Sequence, residues 1–151
     1  MAETKRMTAK EFLSRGFRIG KCIEAQLEEV QRLDALSKRI TAVYGTESVS
    51  RSRRTDVQEE TAVQLIEARD ELEKLIDGMI KTEREIRNII NSVSDVDCRL
   101  ILEYRYLNMN SWNDIAAKLE CTQRHVFRIH GMALKMVDTA LEAWRMAGDE
   151  A

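Results

Sequence analysis

An all-α fold is predicted, a long antiparallel helical hairpin followed by a C-terminal helix-turn-helix domain. Three observations predict it. The 151 residues contain no proline, whose ring would break a helix interior by removing a hydrogen bond and clashing with the preceding turn. A third of the residues are charged and only 5% are aromatic, while the 44% apolar fraction is that of a folded chain. The apolar residues also recur at helical rather than strand spacing.

Thr8-Ala9-Lys10-Glu11 forms a capping box, in which the Thr and Glu side chains satisfy each other's backbone amides at a helix start. Phe12, Phe17, Ile23, Leu27, Val30, Leu33 and Ile40 follow at helical steps, predicting one helix from Thr8 to Val43. Gly16 and Gly20 each weaken it by roughly 1 kcal/mol relative to alanine, and leave room for a close neighbour. Periodicity stops from Gly45 to Asp56, where Ser48, Ser50 and Ser52 alternate with Arg51, Arg53 and Arg54. This loop reads as a solvated connector, or alternatively as a basic loop touching phosphate. Leu65, Leu72, Met79, Ile86 and Val93 then stand seven apart, with Ala68, Leu75 and Ile89 near the companion position. Two long helices joined by a short polar loop fold back on one another, each roughly 50 Å long at about 1.5 Å per residue. Two narrow apolar stripes make no closed core, so a second copy or the C-terminal domain is expected to cover them. A homodimer through this arm is the corresponding expectation. The domains are drawn at 1–94 for the arm, with its loop at about 45–56, and 95–151 for the rest.

Asp95-Val96-Asp97 opens a third helix, with Leu100, Ile101, Tyr104 and Leu107 on its apolar side and a break at Asn108-Met109-Asn110. Ser111 caps a short helix whose buried face is Trp112, Ile115, Ala116 and Leu119. Glu120-Cys121 is a turn, and Thr122 caps the last helix. Ile115, Ala116 and Leu119, followed by Val126 and Ile129, have the spacing of a helix-turn-helix core.

At about 100° per residue, Val126, Ile129, Ala133 and Val137 fall on one face of the last helix, with Arg124, Arg128, Gly131 and Lys135 opposite. Gln123 and Phe127 flank that arc on one side and His125 on the other. Between Cys121 and Val137 there is no Asp or Glu, although the overall composition predicts about three. A basic stripe alone is commonly a solvated face. Behind this spacing it suits a helix lying on duplex DNA, where arginine reads guanine edges or phosphates and glycine lets the backbone come near. The DNA-binding candidates are Thr122, Gln123, Arg124, His125, Phe127, Arg128, Gly131 and Lys135.

The stretch from Ser111 to Lys135 resembles the promoter-recognising fourth domain of bacterial sigma factors. The shared pattern is carried by Ser111, Ile115, Ala116, Leu119, Thr122, Val126, Ile129, Ala133 and Leu134. More loosely, the chain from Met7 through the helical arm to Leu134 is similar to small phage and prophage sigma-like regulators grouped with late-gene activators. The resemblance implies binding to a promoter or operator element and contact with RNA polymerase. Glu120 departs from the glycine usual in that turn. Gln123 to Arg128 also depart from the usual base-reading residues, so a consensus sigma promoter element is not the expected target.

Other readings are weaker. Net charge is only −2, so a nucleic-acid signal must be local. Cys22, Cys98 and Cys121 are odd in number and dispersed, which argues for a reducing compartment, and the resemblance implies that this is the bacterial cytoplasm. No stretch has the length of a membrane span. Cys121, His125 and His130 suggest zinc, but the two histidines lie about 140° apart on one helix, so neither a metal nor another cofactor is expected. No phosphate loop, activated nucleophile or paired carboxylates are present, so no catalytic residue and no enzyme are expected. Trp112 and Trp144 read as packing anchors and His130 as a core-edge residue. Two alternatives to a regulator stand: a DNA-packaging protein like a small terminase subunit, or a protein-interaction module without DNA binding.

Overall fold

The computed structural model describes residues 6–44 and 51–149, and the side chains of 6–43, 55–148. The fold is all-α, with no strand among the described residues. None of the described helices is long and apolar enough to cross a membrane.

Helix α1 spans Ala9–Leu13, and its capping box is complete: the Thr8 hydroxyl accepts from the Glu11 amide and the Glu11 carboxylate from the Thr8 amide, both at 3.2 Å. The single helix expected from Thr8 to Val43 is interrupted at Ser14, and α2 runs Arg15–Tyr44. The cause is local: Arg15 Nε donates to the Phe12 carbonyl at 3.2 Å, its guanidinium lies 4.3 Å from the Phe12 ring centre, and it pairs with Glu85 at 2.8 Å. Helix α3 spans Arg51–Asn91. The predicted loop is therefore too long at its C-terminal side: residues 51–56 are helical, because serine and arginine without Gly or Pro lack periodicity but carry no helix breaker. Its first part, 45–50, lies outside the described residues.

Two compact units emerge, residues 19–79 and residues 6–18 with 80–149. In the first, Leu33, Leu65 and Ala68 are buried with Val30 against them. Gln26 Nε2 donates to the Ala68 carbonyl at 2.9 Å, and Arg69 stands 3.7 Å from Asp34. The heptad stripe is the inward one, with Leu72, Leu75 and Met79 half-buried.

The second unit adds α4 (Val96–Leu102), a π-helical turn (Glu103–Leu107), α5 (Trp112–Lys118) and α6 (Gln123–Asp149). Its main core joins Phe12 and Leu13 to Ile86, Ile90, Leu102, Ala133 and Val137. This division differs from the boundary drawn at 94/95, because Ile86, Ile89, Ile90 and Val93 at the end of α3 share a core with α6. The N-terminal segment joins them: the Ala9 amide donates to Asp138 Oδ1 at 3.0 Å, and Arg145 donates to the Met7 carbonyl at 2.8 Å. Asp95 caps α4 by accepting from the Cys98 amide at 2.9 Å. Of the expected apolar side, Ile101 is fully buried and the half-buried Tyr104 and Leu107 pack on the two cores, while Cys98, Leu102 and Tyr106 are buried in addition. The π turn inserts a residue into the helical period, which brings Tyr106 to the buried side.

Candidate nucleic-acid interface

Helix α5 begins at Ser111, whose hydroxyl accepts from the Asp114 amide at 3.1 Å. It ends in a Schellman arrangement. The Cys121 amide donates to the Ala116 carbonyl at 3.0 Å and the Glu120 amide to Ala117 at 3.3 Å. Glu120 takes φ 52°, the left-handed region that glycine occupies without strain, at a cost of about 1–2 kcal/mol for a residue with a Cβ. Thr122 then caps α6, accepting from the His125 amide at 3.2 Å. Beneath the turn, Ile101, Ile115 and Val126 are fully buried with Ala116, and Leu119, Cys121 and Ile129 pack on them. The sequence-expected core of these two helices is therefore assembled as read.

That core fixes which side of α6 faces out. Gln123, Arg124, Phe127, Arg128, Gly131 and Lys135 are all exposed, as is Thr122, and His125 is half-exposed. All eight candidates thus lie at the start of α6 or along its exposed side. Among the described residues, none of Arg124, Arg128 and Lys135 has a salt-bridge partner. Arg128 instead donates to His125 Nδ1 at 3.2 Å. A β-carbon added at Gly131 would meet nothing within 4 Å.

The candidate interface rests on an aromatic cluster that sequence reasoning saw only in part. Trp112 meets Phe127 edge-to-face at 5.1 Å and His130 at 4.7 Å, while the Arg105 guanidinium sits 4.4 Å over the Trp112 ring. Arg105 also donates to the Asn110 carbonyl at 3.1 Å. Trp112 is thus the packing anchor expected. Trp144 is 53% exposed and touches Phe12 edge-on at 6.2 Å, a looser anchor than read. His130, placed at the core edge, is buried and shares a 2.7 Å hydrogen bond with the Tyr106 hydroxyl. Burial, reinforced by the positive charges of Lys10 and Arg105, pushes the His130 pKa down to about 4. Burial also raises that of Tyr106, so both groups are neutral at pH 7. Tyr106 and Arg105 were missed because their roles depend on the π turn, which leaves no mark in the sequence.

Cys98 is buried, and burial, with Asp95 beside it, raises its thiol to about 11. His130 and His125 are each engaged elsewhere, and among the described residues no three His, Cys, Asp or Glu side chains gather to hold a metal.

No curated protein and no solved structure matches the chain. A family model does match residues 42–138, from the end of α2 through the exposed basic stretch of α6. That is well over half of the sequence, and the chain belongs to the family described as a protein of unknown function, DUF1492.

Proposed function

We propose that this protein is a DNA-binding transcriptional regulator in which α5 and α6 act as a helix-turn-helix, with the exposed side of α6 against duplex DNA. One observation carries the reading. The buried side of α6 is fixed by the core, and its opposite side presents Arg124, Arg128 and Lys135 with no carboxylate partner among the described residues. Cations not neutralised by a described carboxylate, beside an unhindered glycine, suit a polyanion approaching closely. The N-terminal turns of such a helix reach base edges, and this is where Gln123, Arg124 and Phe127 stand. Placement at a phage or prophage promoter, with contact to RNA polymerase, follows from the sigma-like pattern of Ser111 to Leu134. A homodimer through the helices of residues 19–79 belongs to the same proposal, since Leu33, Leu65 and Ala68 form a thin core.

The test is a gel shift on duplex DNA with the Arg124→Ala/Arg128→Ala variant. Both side chains are exposed, so circular dichroism should be unchanged, while affinity falls at least about tenfold, the loss of one good arginine contact. Unaltered affinity sinks the assignment.

A further inference from the structure

The exposed side of α6 carries two rows of different chemistry. Arg124, Arg128 and Lys135 form a cationic row, and Gln123, Phe127 and Gly131, at i, i+4 and i+8, form an uncharged row beside it. Arg128 is held by His125, which lies on the far side of the cationic row from Phe127, so its guanidinium leans away from the uncharged row. We infer that Phe127, with the bare backbone of Gly131 one turn on, is a specificity-determining contact that receives the 5-methyl group of thymine. This rests on the DNA-binding reading and goes beyond it, to which base is read and by which side chain.

Three observations support it. Phe127 is 47% exposed between Gln123 and Gly131 on the outward side of α6, so its ring is available to an apolar group. It is also held in place: Trp112 meets it edge-on at 5.1 Å, and Trp112 is itself fixed between Arg105 and His130. A ring positioned in advance loses little side-chain freedom on binding. Gly131 has no internal cause, since a β-carbon there would meet nothing within 4 Å, and alanine would favour the helix. Gly20 and Gly78 are equally unhindered, so it is the position of Gly131 beside Phe127 that gives it this role. In the major groove only thymine presents a methyl group, which takes apolar contacts such as phenylalanine, and glutamine pairs with the N6 and N7 of adenine. Gln123, one turn before Phe127, adds that second reader, so the row favours an A·T step.

The experiment starts from duplexes enriched from a random pool by the full chain. Thymines of the enriched site are then replaced one at a time by uracil, which removes only the methyl group. At one or more A·T positions the wild type should lose about fourfold in affinity, the worth of one buried methyl. Phe127→Ala should bind thymine and uracil duplexes alike. Gly131→Ala should unfold at a higher temperature than the wild type and yet lose the thymine preference, a combination that a structural role for the glycine does not give. Salt-dependent binding of an enriched site that is indifferent to every uracil replacement overturns the inference and leaves the DNA-binding reading standing. No enrichment and no salt-dependent binding overturns both.

Discussion

The two units of this chain are built from the same kind of helix and differ in how much they bury. Residues 6–18 with 80–149 enclose two clusters containing Leu13, Ile90, Ile101, Ile115, Val126 and Val137, all at 0% exposure. Residues 19–79 bury Leu33, Leu65 and Ala68 among their apolar side chains, and Leu27 on the same helix as Leu33 remains 44% exposed. Residues 6–18 with 80–149 combine several helical segments, so side chains converge from several directions. Residues 19–79 have one seam between two helices, where each stripe touches a single neighbour. A precise surface needs a fixed scaffold, and the candidate interface lies on the unit that has one.

The largest expected effect breaks the better-packed unit. Ile101→Ala removes a fully buried side chain from beneath the α5–α6 turn and should cost about 4 kcal/mol, seen as a large fall in melting temperature and loss of amide protection in α5 and α6. Leu33→Ala, in the thin seam, should cost about 2 kcal/mol, because a two-helix seam collapses around a cavity more easily. Its protection loss should be confined to 19–79. Equal losses everywhere from either variant would contradict the division into units.

A pH dependence of intermediate size comes from His130. Its folded pKa lies near 4, below the ordinary 6.5, so between these values the unfolded chain binds the proton and the folded chain does not. Stability from this group is complete above pH 6.5 and declines as pH falls toward 4. His130→Gln should show a shallower fall in melting temperature over that interval than the wild type. Parallel curves would mean that the histidine is not held neutral. The smallest effect is a gain: Glu120→Gly should stabilise the chain by about 1 kcal/mol by relieving the left-handed residue in the turn.

These variants also mark what the residues disclose on their own. Short-range signals carried well: the caps at Thr8, Asp95, Ser111 and Thr122, the heptad stripe, and the apolar face of each of α5 and α6 all depend on neighbours within a few positions. The cost at Glu120 was readable too, because the turn demands a backbone conformation that glutamate resists. What escaped was decided across long stretches of chain or by side-chain competition with the backbone. Arg15 interrupts the first helix by taking the Phe12 carbonyl, and residues 51–56 continue a helix with no apolar stripe to announce it. Tyr106 meets His130 only because a π turn shifts the buried register. The exposed basic residues were identifiable from periodicity alone. The anchoring of Phe127 by Trp112 was not, since it joins two helices across a turn.

The central claim is that the exposed face of α6 holds a polyanion through Arg124, Arg128 and Lys135, and salt tests it most directly. Affinity for a duplex measured from low to moderate salt should fall with a logarithmic slope of about −3, as three cationic side chains entering the polyanion's field release counterions. In Arg124→Ala/Arg128→Ala the slope should shrink to about −1. A wild-type slope near zero, or the same slope in both proteins, would contradict the account.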